Sequence, residues 1–488
     1  MKKNILWICA DQQRFDTLGC TGNKFVKTPN IDRLAKMGML FGNAYSQSPV
    51  CAPSRASMLS GRYPRTCGVR QNGQDISKDE VLIPKLFANN GYMCGMSGKF
   101  HLSACNNEKQ NVIIEPAISE NYHFFRWSHH PSGTQDKTNW AMNEYTMWLT
   151  SKGINYKDTP RNDCSYISNG MEEEHHQSTW CTDSAIQCIE SAKNLDLPWL
   201  FTINYFDPHH PFNPPEKYLE RYLDILDDIP LPNYLKGELD TKPIFQQRDH
   251  MGAYDSPGSF AYDNMTEKDH KMVRAAYWAM IDLLDVQVGR LLDYLEKTNQ
   301  LDNTVIIFTS DHGEQLGDHG IYLKGPYMYD AGVKVPLIMA CPEVIPPEQV
   351  SDSLVELVDI APTLCEIAGI EKPHGIQGKS LLPHMQGKEK IHRDSIYSEY
   401  YNSNIKHRNP KAFVTMVRND KYKLVRIHDK YNQQKIVCEL YDLVNDPNET
   451  VNQSDNPKYN DIKMNLLELL CDRMAETCDP SPERKSFW

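Results

Sequence analysis

The sequence predicts an α/β fold: a large, mostly parallel central sheet flanked by helices, followed by a smaller C-terminal α+β domain. Three observations carry this. Short apolar runs bounded by turn residues recur as far as about residue 340, helical periods separate them, and after about Lys388 the texture changes to strands joined by charged turns. Residues 5–10 read as the first strand, a buried run ending at Asp11. Residues 30–38 come next as a helix, with Asn30 as cap and Ile31, Leu34 and Ala35 on one face. Residues 53–60 form a short helix, and 92–97 a strand punctuated by glycine. Strands at 199–205, 305–309 and 335–340 come later. Between them, residues 271–298 carry a strong helical period through Ala276, Met280, Leu283, Leu284, Val288, Leu291 and Leu292.

Two stretches break the rhythm. Residues 105–180 are polar, aromatic and aperiodic, and residues 212 to about 266 are rich in Pro, Tyr and Asp. Both read as insertions serving as lids or binding loops. Residues 395–401, 412–417, 422–427 and 435–441 look like an antiparallel meander, with an amphipathic helix near 459–477. The expected division is a first domain over residues 1–387 and a second over 388–488, in keeping with a chain of 488 residues.

Composition narrows function. A hydrophobic share of 40% and a charged share of 24% are ordinary for a globular protein. The net charge of −12 argues against a nucleic-acid or anionic-membrane partner, so an anionic substrate would need a few focused cations. The apolar N-terminal run is shorter than a signal-peptide core and is interrupted by Asp11 and Arg14. No stretch approaches the roughly 20 apolar residues of a membrane-spanning helix. The expectation is a cytoplasmic protein without a membrane partner, its 14 cysteines reduced. Cys9, Cys94, Cys341 and Cys365 read as core thiols, and no C-x-x-C pair suggests zinc.

Several motifs carry chemistry. Cys51-Ala52-Pro53-Ser54-Arg55, running on through Ala56-Ser57-Met58-Leu59-Ser60-Gly61, sets a cysteine at the mouth of a helix whose free N–H groups favour an anion. Alone, such a cysteine reads as a buried thiol; its companions change that. Asp11-Gln12 follows the first strand, and Ser310-Asp311-His312-Gly313-Glu314 follows the strand at 305–309. Carboxylates and an imidazole at strand ends suit a divalent ion, which takes several oxygen ligands. Ser97-Gly98-Lys99-Phe100-His101-Leu102 follows the strand at 92–97. A phosphate-loop reading fails there, because Met93 stands where Gly is required and Phe100 where Ser or Thr is. Asp207-Pro208-His209-His210-Pro211-Phe212 follows 199–205, and Leu323-Lys324-Gly325-Pro326 precedes a run from Tyr329 to Pro336. In open α/β sheets ligands sit beyond the carboxyl ends of the strands, where Asp11, Lys99, His209 and Asp311 all fall.

In order and spacing these motifs, Cys-x-Pro-Ser-Arg to Ser-Gly above all, resemble the formylglycine-dependent sulfatases of the alkaline phosphatase-like superfamily. The likeness covers most of residues 4–385 in ordered motifs, and Leu440-Tyr441-Asp442-Leu443 with Asp446-Pro447 is also common in the family. It implies a sulfatase acting on a small anionic sulfate ester, in which a maturation enzyme oxidises Cys51 to 3-oxoalanine (formylglycine). It implies Arg55, Lys99 and Lys324 around the sulfate, His101 against the aldehyde-derived hydroxyls, and His209 protonating the departing alcohol. It implies one divalent metal ion held by Asp11, Gln12, Asp311, His312 and the modified Cys51. Ca²⁺ is the first expectation; Mg²⁺ and Mn²⁺ stay open, because the common pattern has Asp at position 12 and often Asn at 312. Those two departures resemble the phosphonate monoester hydrolases and phosphodiesterases of the same superfamily, the alternative reading, against which Lys99 and His101 argue.

Lys334 stands where the family has Arg and is expected in a structural ion pair; Asp330 replaces the usual Glu. Asp318 and His319 are left unassigned, and Asn72 reads as a turn residue. Phe124, Phe125, Trp127, Trp140 and Trp180, with His129, His130, His175 and His176, suggest either a stacking pocket for a sulfated saccharide or simple packing of the inserted segment.

Overall fold

A computed structural model describes residues 2–105, 122–131, 143–403, 411–428 and 435–480. In chain order its strands are β1 Asn4–Ala10, β2 Met39–Tyr45, β3 Met93–Gly98, β4 Phe124–Trp127, β5 Thr159–Pro160, β6 Ser168–Asn169, β7 Trp199–Asn204, β8 Thr304–Ser310, β9 Lys334–Ala340, β10 Gln349–Glu356, β11 Ile396–Tyr401, β12 Phe413–Arg418, β13 Tyr422–Ile427 and β14 Cys438–Asp442. Eight of them form one sheet in the order β10-β2-β9-β8-β1-β7-β3-β4. β8, β1, β7, β3 and β4 run parallel. β10 is parallel to β2, and β9 runs against both β2 and β8. The mostly parallel sheet is as expected, with one strand reversed.

β1 and β8 are buried along their whole length, as strands covered on both faces must be. Alternation along β1 sends Leu6, Ile8 and Ala10 to one core and Ile5, Trp7 and Cys9 to the other. The first core includes residues of the helices Pro29–Lys36, Gln177–Asn194 and Glu267–Lys297; the second includes residues of Cys51–Ser60, Ile83–Asn89 and Ile360–Ala368. The long helix starts at a capping box: Thr266 Oγ1 accepts from the Asp269 N–H at 3.2 Å, and Asp269 accepts from the Thr266 N–H at 2.9 Å.

Several elements fall outside the sequence expectation. β2 and β10 were not expected as strands. β4 and most of the helix Gln177–Asn194 escape a period-based reading, the former inside the stretch read as aperiodic. That helix packs a stripe of mostly small residues, Cys181, Ala185, Cys188, Ile189 and Ala192, into the core, while its first turns also bury the polar Gln177, Ser178, Thr179, Thr182 and Ser184, which blurs the period.

The remaining long strands make the antiparallel sheet β11-β12-β13-β14, the expected meander. The helix Asn460–Glu476 buries Leu466 and Leu470 against Val417, Leu424 and Leu440. Among the described residues no helix is long and apolar enough to cross a membrane.

Candidate active site

The parallel strands β1, β8, β7 and β3 deliver Asp11, Asp311, His209 and Lys99 to one rim of the large sheet. β2 points the same way, and the chain turns from it into the helix Cys51–Ser60, whose first residue is Cys51. Cys51 Sγ lies 3.1 Å from His312 Nε2, 3.1 Å from Lys324 Nζ, 3.5 Å from Lys99 Nζ and 3.6 Å from Asp11 Oδ1. Burial pushes its thiol up, yet Lys324, Lys99 and His312 outweigh burial and hold it well below the ordinary thiol range. Asn72 is more than a turn residue: its Oδ1 accepts from the Ala52 N–H at 3.0 Å, and it lines the cleft above Cys51.

Asp11, Cys51, Asp311 and His312 are all buried, with donor atoms within 4.8 Å of one another. His312 Nδ1–H donates to the Gly313 carbonyl at 2.8 Å, which turns Nε2 toward Asp311 at 3.8 Å and Asp11 at 3.9 Å. A hydrogen bond of this kind fixes the tautomer that a metal-ligating imidazole needs. Burial, Asp311 and Cys51 push the Asp11 carboxyl up; a divalent cation relieves such a convergence of like charges. The donors therefore fit one divalent ion. Gln12 stands beside them, its Oε1 accepting from Lys324 Nζ at 2.7 Å and its Nε2 donating to Glu314.

Arg55 departs from expectation. Its Nε donates to Asp311 at 2.8 Å, one terminal nitrogen to Asp11 at 3.1 Å and the other to the Lys99 carbonyl at 2.8 Å. The guanidinium is thus engaged beneath the site, holding two carboxylates, and does not line the cleft. Lys99 pairs with Asp11 at 2.5 Å while lining the cleft wall.

Cys51, Lys99, His101, His209 and Lys324 line a cleft of about 480 Å³, walled further out by His129, His130, His210, Tyr254, Tyr400 and Asn72. His209 Nδ1–H donates to the His210 carbonyl at 2.6 Å, leaving Nε2 as the ring nitrogen available to Cys51. Burial, with Lys324, His210 and Lys99, holds it well below the usual imidazole range. Sequence reasoning missed Tyr254 and Tyr400. They come from the stretch at 212–266 and from β11 of the second sheet, and carry no motif.

The aromatic pocket is corrected. Phe124 packs on Phe201 at 6.2 Å, Phe125 on Phe100 at 5.5 Å and Trp180 on Tyr145 at 6.0 Å, while Trp127 is buried in the core. His176 Nδ1 accepts from the Ser178 N–H at 3.2 Å as a helix cap, and His175 lies 6.3 Å from Trp148. Of the described members, His129 and His130 reach the cleft; Trp140 lies outside the described residues. These rings fill the cores beside β4 because burying an aromatic face outweighs leaving it at a wet rim. Lys334 forms no ion pair among the described residues; its Nζ sits over the Phe15 ring at 4.5 Å. Asp330 pairs with Lys423 at 2.5 Å, Asp318 with Arg14 at 2.8 Å, and His319 with Glu238 at 2.9 Å, all structural roles.

Comparison with known proteins leads the same way. The sulfatase family model matches residues 3–370, and the model of the N-sulphoglucosamine sulphohydrolase C-terminal region matches residues 317–476. The chain is 29% identical to an arylsulfatase of Clostridium perfringens, covering 94% of this chain and 92% of the relative. It is 26% identical to an N-acetylglucosamine-6-O-sulfatase of Bacteroides thetaiotaomicron, covering 99% and 88%. In fold it resembles the phosphonate monoester hydrolase of Agrobacterium radiobacter, with a TM-score of 0.80 at 23% identity over 98% of this chain and 97% of the other. With its sheet, its site motifs and a family model spanning most of its length, this chain belongs to the sulfatase family, the sulfuric ester hydrolases.

Proposed function

We propose that this chain hydrolyses sulfate monoesters of a saccharide, using a formylglycine made from Cys51 and a divalent ion held by Asp11, Gln12, Asp311 and His312. The observation that carries this is the seat of Cys51: the first residue of a helix, 3.1 Å from both His312 Nε2 and Lys324 Nζ, within the group of donors that fits a metal. An unmodified thiol would have no adjacent hydroxyl with which to shed sulfate. Oxidised and hydrated, position 51 would present two hydroxyls, and the ion (Ca²⁺, Mg²⁺ or Mn²⁺) that Asp11, Gln12, Asp311 and His312 would hold would supply positive charge that lowers a hydroxyl pKa.

The chain's own residues do the rest. Lys99 and Lys324 flank position 51 and neutralise the sulfate oxygens as charge develops. Arg55 orients Asp11 and Asp311 from below. His101 takes the proton of the second hydroxyl. His209 protonates the departing oxygen. Held neutral in the free enzyme, it gains that proton when the anionic ester offsets Lys324 and Lys99.

The saccharide assignment draws on the N-acetylglucosamine-6-O-sulfatase relative and on a cleft of about 480 Å³, which suits a sugar-sized group. Gln12 and His312 favour a second reading, phosphonate monoester hydrolysis. Co-expression with a formylglycine-generating enzyme should lower the intact mass at Cys51, and the converted protein should turn over an aryl sulfate faster than the matching aryl phosphonate. Predominant phosphonate turnover overturns the sulfatase reading. A panel of sulfated mono- and disaccharides then identifies the ester.

A further inference from the structure

Gln12 is held at both polar ends of its side chain. Lys324 Nζ donates to its Oε1 at 2.7 Å, and its Nε2 donates to Glu314 Oε2. Its backbone is clamped as well: the N–H donates to Asp311 Oδ1 at 3.1 Å, and the Tyr277 hydroxyl donates to its carbonyl at 2.6 Å. The residue sits at φ 68°, in the left-handed region that a glutamine rarely occupies.

A primary amide presents an acceptor on one side and two donors on the other, so turning it over reverses what it offers. The ammonium of Lys324 can only donate. Glu314 Oε1 accepts from the Leu316 N–H at 2.9 Å and from the Leu323 N–H, and Oε2 accepts from Gln12. One amide orientation satisfies both neighbours. We propose that Glu314 is a positioning residue that locks Gln12 with Oε1, and not its NH₂ group, toward Lys324 and the divalent ion. An aspartate at position 12 would offer oxygen from either side and need no such partner; a glutamine does. The inference rests on the metal-binding part of the proposed function.

Glu314→Gln keeps the side-chain shape. The new side chain's carbonyl must still accept from Leu316 and Leu323, so its NH₂ faces that of Gln12, and Gln12 turns over. Calorimetric titration of the full-length, converted protein with MnCl₂ and CaCl₂ should show metal affinity weakened about 10–100-fold. The charge-swapped Q12E/E314Q pair restores an acceptor facing Lys324 and a donor–acceptor match at position 314, and should recover most of that affinity. A role confined to the loop at 316–323 would let Q12E change affinity by the same factor whether position 314 is Glu or Gln, whereas the proposal requires a larger gain beside Gln than beside Glu. Unchanged affinity in Glu314→Gln, or a double variant as weak as the single one, overturns the proposal. Should the E314Q variant fail to fold, the Q12E variant and the double variant decide: tighter metal binding in the double variant than in Q12E upholds the proposal, and equal or weaker binding, or failure of the double variant to fold, overturns it. Sulfate-ester turnover measured in parallel separates the two readings. Wild-type protein that binds the ions but cleaves no sulfate ester refutes the sulfatase reading alone, whereas wild-type protein that binds neither ion overturns this inference.

Discussion

In the proposed mechanism His209 is the general acid, and burial, Lys324, His210 and Lys99 all disfavour its charged form. A general acid in that state is loaded more often as pH falls. For an alkyl sulfate, whose leaving group needs the proton, kcat/KM should therefore rise as pH drops from 8 to 6, a slope that His209→Ala abolishes. The same substitution should lower kcat about 10²–10⁴-fold on the alkyl ester and less on 4-nitrophenyl sulfate, measured by steady-state kinetics. Equal losses on both would move the acid role to Lys324. At this scale the sequence was informative wherever a chemical residue abuts a strand end, as Asp11, Lys99, His209 and Asp311 do. It was silent on Tyr254 and Tyr400, whose place in the cleft wall depends on how distant segments pack.

Strand ends work only if the strands lie close. Gly98 closes β3 at φ +95°, and a Cβ there would collide with the carbonyl oxygen of Asn204 on β7. That neighbour is backbone at the end of a strand paired on both sides and cannot readily yield. Gly98→Ala should therefore destabilise the protein by at least about 3 kcal/mol, the upper end for single substitutions, as read by urea denaturation. A loss below about 1 kcal/mol would mean that β3 and β7 are less tightly paired than described. The elements that escaped the sequence were those lacking a clean period. Helix Gln177–Asn194 buries polar residues in its first turns beside a stripe of mostly small residues, and β10 is an edge strand with exposed positions, including Val350 at 70% exposure.

Across the whole molecule, Asp359 ties the end of the large sheet to the segment that leads into the second one. Its carboxylate accepts from His392 at 3.0 Å and from Arg393 Nε at 2.9 Å, and Lys379 donates its N–H at 2.7 Å. Burial opposes ionisation there, but Arg393 and His392 outweigh it and hold the carboxyl well below the usual range. A depressed carboxyl contributes stability above the unfolded-state pKa of about 3.9, and that stability is lost as pH falls below it. Asp359→Asn leaves Arg393 with Glu356 at 3.4 Å as its remaining carboxylate and should cost about 1–3 kcal/mol at pH 7. The difference from wild type should shrink in denaturation curves recorded toward pH 3; a gap that stays constant would contradict the assignment.

By itself the sequence determined the fold class, the central strands and the residues just beyond their ends, because these are local along the chain. Only the tertiary structure decided that Arg55 turns beneath the site, that Trp127 and its neighbours belong to the core, and that Gln12 has one amide orientation. Each of these depends on partners far along the chain: Asp311 lies 256 residues from Arg55, and Glu314 lies 302 residues from Gln12. No local pattern encodes such a meeting; it exists once the sheet has closed.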